Sequence, residues 1–207
     1  MEMLKTDLTK TDRTYYSAKK SAEIVELDSY GYLTIRGQSS PEDSRFLSAI
    51  ETIYTVAYDI KFLCKAEDND FTVPKMECHW YVSGGLSAQH QFTETPRNLW
   101  LWQIKIRMPD MVESDHFFKA IHQSREKKPD LNFDIVKFEY LKEGVCAQIL
   151  HLGSYEEEMP SINKIHELLD LEGYEITGYH KEIYLNDPRR VAPEKLKTIL
   201  RYQIEKK

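Results

Sequence analysis

The chain predicts an α+β fold: two βαββ-type repeats related by a pseudo-twofold, sharing one antiparallel sheet with two long helices on one face and a ligand groove at the repeat junction. Three observations predict it. Hydrophobic periodicity runs strand, strand, helix, strand, strand, and then does so again. Placing Gly37 on Gly153 puts Phe46 on Ile162, Ala49 on Ile165 and Ile53 on Leu169, the same apolar helix face twice. A polar, basic stretch separates the halves, so that residues 1–207 read as a single domain of two repeats, about 20–112 and 131–205, joined by a helical connector at 113–130.

Taken in order, residues 1–20 are polar and aperiodic, an arm whose Tyr15 and Tyr16 lie against the body. Residues 22–27 and 32–37 read as two strands joined through Ser29, Tyr30 and Gly31. Pro41, with Glu42 and Asp43 behind it, opens a helix that runs to about residue 63, its stripe made by Phe46, Ala49, Ile50, Ile53, Tyr54 and Ala57. Residues 73–82 return as a strand ending at Gly84 and Gly85, and 84–96 form a loop. In the strand at 99–108, Trp100, Trp102, Ile104 and Ile106 share a face until Pro109 stops it. Ser114 caps the connector helix, which the basic run before Pro129 closes. The second half repeats the scheme: strands at 133–140 and 145–152 about a Glu143-Gly144 turn, a helix over 156–171, and strands at 180–185 and from about 196.

Composition narrows the function. With 28 basic and 34 acidic residues the net charge is −6, which repels a phosphate backbone and argues against nucleic acid as a partner. The 13 Tyr, 8 Phe and 3 Trp suit a flat, apolar and cationic small molecule, because aromatic faces stack on such ligands and attract cations. Cys64, Cys78 and Cys146 are odd in number and far apart, as expected of reduced thiols in a cytoplasmic protein. The N-terminal residues lack a signal peptide's apolar region and no run is long enough to span a bilayer, so no membrane partner is expected. Oligomeric state is not legible.

The strand at 180–185 carries the chemistry. His180, Glu182 and Tyr184 alternate with Lys181, Ile183 and Leu185, so a His, a Glu and a Tyr project together from one face of a sheet. On the 76–81 stretch, MECHWY, Trp80 shares its face with Met76 and Cys78, while Glu77, His79 and Tyr81 take the other. No nucleophile elbow, zincin, P-loop or dinucleotide motif occurs, and the seven His are scattered without metal-ligand spacing, so neither a metal nor a cofactor is implied.

EGVCAQILHLGSYEEE at 143–158 and HKEIYLNDPRRVAPEKLKTILR at 180–201 resemble the GyrI-like small-molecule-binding family, the effector-binding module also found in multidrug-responsive transcription regulators. With MECHWY and NLWLWQIKIRMPDMV (98–112) the likeness extends over about residues 20–205, and it looks closest to the stand-alone two-repeat members. The resemblance implies an aromatic groove between the repeats with an acid at its floor, the Glu of the EIY motif, here Glu182. Some stand-alone members are similar to hydrolases of cyclopropane-bearing, DNA-alkylating natural products of the duocarmycin and yatakemycin type; others are multidrug binders. The chain departs from the family in having His180-Lys181 where two histidines are common, and Glu77-Cys78-His79-Trp80-Tyr81 where Glu, Gly, Leu, Trp, Trp is common.

A spirocyclopropane conjugated to a dienone is opened by water when a carboxylate takes the water's proton and donors hold the charge that develops on oxygen. Glu182 is the expected base, with Tyr184, His180 and Tyr155 as donors. Trp80, Trp100 and Trp102 are candidate stacking partners, beside Met76, Glu77 and Tyr81. The alternatives are a non-catalytic protein that sequesters or senses such ligands and, behind it, a protein-interaction module.

Overall fold

Seven antiparallel strands, five helices and several short 3-10 segments make up the computed structural model, which describes residues 5–207. Two short helices, α1 (Leu8–Thr11) and α2 (Arg13–Tyr16), lead into β1 (Glu23–Gln38), α3 (Ser44–Ala66), β2 (Met76–Tyr81) and β3 (Leu101–Arg107). After α4 (Ser114–Lys127) come β4 (Lys137–Leu152), α5 (Met159–Glu172), β5 (Tyr174–Ile176), β6 (His180–Tyr184) and β7 (Lys197–Lys206).

The strand order β4-β1-β3-β2-β6-β7 closes on itself through pairing of β4 with β7. The sheet is therefore a six-stranded barrel, with β5 appended to β7. Order within the halves is the same, β1-β3-β2 and β4-β7-β6.

Closure changes two expectations. The first is the strand count: residues expected as two strands and a turn, in each half, are one continuous 16-residue strand, β1 and β4. Each pairs with the other from Glu23 opposite Gln148 to Thr34 opposite Lys137, and Gly144, with φ +66°, accommodates a kink rather than a reversal. Residues 133–135, expected to begin a strand, instead form a 3-10 turn. The second is the sheet face opposite the helices: no open groove lies there, because that face is the lumen of the barrel and is filled by side chains.

Alternation assigns the walls. Outward residues of β1, β2 and β3, including Leu33, Ile35, Cys78, Trp80, Trp102, Ile104 and Ile106, pack with Phe46, Ala49, Ile53, Val56, Ala57 and Ile60 of α3. Outward residues of β4 and β7, including Ala147, Ile149, Leu200 and Tyr202, pack with Ile165 and Leu169 of α5. Both long helices thus lie on one face of the sheet, the outer wall. Gly37 is required where it stands: a Cβ there would sit 2.3 Å from the Trp102 ring.

The N-terminal arm is more ordered than its aperiodic sequence implies. Asp7 caps α1 and Asp12 caps α2, and Tyr15 and Tyr16 are delivered, fully or nearly buried, into the lumen cluster with Leu27, Tyr32, Cys146, Ile183 and Ile199. All three cysteines are free and buried. Among the described residues no helix is long and apolar enough to cross a membrane.

Candidate functional site

β6 is the strand on which both surfaces of the barrel meet. It pairs with β2 on one side and β7 on the other, with Trp80 opposite His180, Cys78 opposite Glu182, Leu200 opposite Glu182 and Thr198 opposite Tyr184. His180, Glu182 and Tyr184 therefore point outward, between the strands covered by α3 and those covered by α5. Lys181 points into the lumen.

On the outer wall three ionisable side chains converge. His180 Nε2 lies 3.3 Å from Glu182 Oε1 and 3.3 Å from Glu158 Oε2. Its other nitrogen, Nδ1, is 2.7 Å from the Tyr202 hydroxyl on β7. Glu158 immediately precedes α5; it is 6% exposed and its Oε1 has no hydrogen-bond partner. His180 and Glu182 are each 8% exposed. Burial, reinforced by the neighbouring Glu182, pushes the Glu158 carboxyl up to about 7. Burial alone would lower the His180 imidazole; Tyr202, Glu158 and Glu182 outweigh it and raise the ring well above its ordinary value. Among the described residues, two acids thus face one imidazole with no Lys or Arg bonded to them.

Aromatic rings surround this cluster. The Trp80 indole N–H donates to the Tyr184 hydroxyl at 3.2 Å, and the Tyr155 ring meets Tyr184 edge-on with centroids 5.7 Å apart. Burial, then Glu182, raises the Tyr184 phenol well above its ordinary value, and the same causes push Tyr155 up to about 12. Trp80 is itself nearly buried against Phe46, at 5.1 Å, and Trp100, at 5.9 Å, and Trp100 stacks on Phe92 at 4.3 Å. Trp102 lies deeper, its N–H on Ser39 Oγ at 3.0 Å and its ring edge-on to Phe46.

Of the residues singled out from sequence, the structure brings together Glu182, His180, Tyr184, Tyr155 and Trp80. Trp100 extends the same aromatic wall, Met76 lies farther along β2 on that face, and Trp102 is core. Glu77 and Tyr81 are on the other side of the sheet. Tyr81 stacks on Tyr179 at 4.4 Å, while the Glu77 carboxylate accepts from Tyr15 at 2.6 Å and pairs with Lys181 at 3.1 Å inside the barrel. A regular β2 cannot send Glu77 and Trp80 to one pocket. Sequence reading missed Glu158 and Tyr202. The signal for Glu158 was in the HLGSYEEE stretch, where three acids precede an apolar helix; nothing local marks which of them turns inward.

The lumen holds a second charged cluster. Lys181 bonds Glu143 at 2.6 Å, Lys105 bonds Glu143 at 3.3 Å, and Tyr32 donates to Glu143 at 2.8 Å. Arg201 bonds Gln148 Oε1 and the Tyr15 carbonyl, both at 2.6 Å. Burial opposes ionisation of Glu143, yet Lys181 and Lys105 hold it well below the usual carboxylate range.

The sequence signature of the GyrI-like small molecule binding domain matches residues 98–204, a stretch that carries β3 to β7 and the whole acid cluster. The chain is a GyrI-like protein. Over nearly its full length, this GyrI-like chain is similar to an uncharacterised conserved protein from Listeria innocua, with 31% identity, TM-score 0.88, and 97% of this chain and 100% of the other covered. It is similar to a hydrolase from the same organism at 30% identity and TM-score 0.85, with the same coverage. The C-terminal domain of EcmrR shares the fold at 15% identity and TM-score 0.53, over 90% of this chain and 98% of that one. No curated protein matches the chain.

Proposed function

We propose that this GyrI-like protein binds flat aromatic, often cationic small molecules against the Trp80, Tyr155 and Tyr184 wall, and hydrolyses cyclopropane-bearing electrophiles of the duocarmycin and yatakemycin type. The observation that carries the reading is the convergence, at the junction of the two halves, of Glu182, His180 and Tyr184 with the second acid Glu158. A buried carboxylate with no Lys or Arg beside it has strong reason to take a cation or to act on a proton. The similarity to a hydrolase over nearly the whole chain supports the catalytic half.

In the proposed reaction Glu182 orients a water molecule and accepts its proton as the oxygen attacks the strained ring carbon. The carbon–carbon bond opens, its electron pair passes through the dienone, and the former carbonyl oxygen becomes a phenolate that is then protonated. Tyr184 and Tyr155, the phenols of the wall beside Glu182, are the donors toward that oxygen. Trp80 holds Tyr184 through its indole N–H.

The test is paired: product formation from a cyclopropanoid followed by chromatography, and affinity for one cationic and one neutral dye, in wild type and Glu182→Gln. Hydrolysis predicts turnover reduced by roughly 10²–10⁴-fold with affinity for the neutral dye kept, because the shape of the site survives while the base is lost. Tight dye binding without turnover of any member of the substrate class leaves the second reading, sequestration or sensing, which the unbalanced negative charge of the cluster favours; there the substitution weakens the cationic dye alone.

A further inference from the structure

We infer that Glu158, His180 and Glu182 form a binding site for a divalent first-row metal ion, zinc in the first instance, with Tyr202 as the outer partner of the histidine ligand.

The distances carry this. A protonated imidazole donating to a carboxylate closes to about 2.7–2.9 Å. Here the same nitrogen, His180 Nε2, stands 3.3 Å from an oxygen of each of two carboxylates. One N–H shared between both makes only a long, bent three-centre contact. A tetrahedral ion with bonds of about 2.0–2.1 Å holds neighbouring ligand atoms about 3.3–3.4 Å apart, the spacing found on both edges. One ligand atom from each of the three residues lies within 4.8 Å of the others. The ligand types agree: an imidazole and two carboxylates suit zinc and its neighbours, whereas magnesium favours oxygen donors and retained water.

Two further features point the same way. Glu158 Oε1 is buried with no partner, an acceptor whose desolvation nothing offsets. His180 Nδ1 is already engaged by the Tyr202 hydroxyl at 2.7 Å, so an ion that displaces the Nε2 proton meets a lone pair between the two carboxylates. Such a second partner on a ligating histidine fixes ring orientation and tautomer. Three protein ligands leave a fourth position for water or a ligand atom.

The inference stands on metal binding and does not require the hydrolase reading. Metal-free protein titrated calorimetrically with Zn²⁺ should take up one equivalent, and Co²⁺ should give the visible d–d bands of a tetrahedral site without thiolate charge transfer. Glu158→Gln and His180→Asn should each weaken Zn²⁺ by roughly 100-fold or more and Tyr202→Phe by roughly tenfold, the effect typical of removing an outer partner. Glu67→Gln, which breaks an exposed His116 contact elsewhere, should change nothing. The absence of a one-equivalent site, or Zn²⁺ affinity indifferent to Glu158→Gln and His180→Asn, overturns the inference. Thiolate charge transfer does so too, since it would shift the ion to Cys78, beside Glu182 in the sheet. If a ligand variant fails to fold, Tyr202→Phe and the wild-type Co²⁺ spectrum still decide. Dye affinity with and without Zn²⁺ separates the two proposals: zinc that binds without weakening a cationic dye leaves the metal site standing and removes the cation reading.

Discussion

Two buried acidic clusters stand back to back across β6, and only one of them is balanced. In the lumen, Glu77 and Glu143 meet Lys105 and Lys181, with Arg201 nearby, and each accepts from one tyrosine hydroxyl. On the outer wall, Glu158 and Glu182 share a single imidazole. Neighbouring residues, Lys181 and Glu182, belong to opposite clusters. A fold that supplies three cations to one pair of acids could supply another to the second pair. Leaving that pair in deficit costs stability, and such a cost is the usual mark of a site kept for a ligand or a reaction.

The largest effect that sharpens this contrast is catalytic. Glu182→Gln should lower hydrolysis by roughly 10²–10⁴-fold while leaving the unfolding midpoint close to wild type, because His180, the cation it faces, keeps Glu158 as its partner. Substrate turnover and a denaturant melt on the same sample check both halves.

Next is the lumen. Glu143→Gln leaves Lys181 and Lys105 with Glu77 alone in a dry interior and should destabilise the fold by about 3–5 kcal/mol, the cost of breaking a buried pair from one side. Glu158→Gln should cost far less, or stabilise, since it relieves repulsion with Glu182. Equal losses in urea titrations would erase the distinction between the clusters. The same contrast has a pH form: Glu143 is held well below its unfolded value, so its contribution is fully present above the ordinary carboxylate range and fades as pH falls through the folded-state value. Acid should therefore weaken wild type more than it weakens Glu143→Gln, as read from melting temperatures between neutral and acidic buffer.

A smaller effect belongs to the aromatic wall. Tyr155→Ala removes a half-buried ring that meets Tyr184 edge-on, and should weaken a flat ligand by about 0.5–1.5 kcal/mol with little change in stability. Trp80 is a poorer probe, because its burial against Phe46 makes its loss a defect of the core first. Smallest of all, Glu139→Ala removes the part-exposed Arg36 pair and should cost less than about 1 kcal/mol.

What the sequence determined by itself is what period and local chemistry encode. Alternation put His180, Glu182 and Tyr184 on one face of a strand and Glu77 opposite Trp80, and helical spacing marked Phe46, Ala49 and Ile53, and likewise Ile165 and Leu169, as buried stripes; each of these is seen. The family, too, was legible in the motifs around Glu143 and Glu182. Closure of the barrel was decided only by tertiary structure, because pairing of β4 with β7 joins residues distant in the chain, and no local pattern distinguishes an open sheet edge from one that finds its partner. Closure in turn decided which face became the lumen, and so drew Glu77 away from the aromatic wall. It also brought Glu158 and Tyr202, from two other elements, to the two sides of His180, where burial and proximity rather than sequence spacing make the cluster.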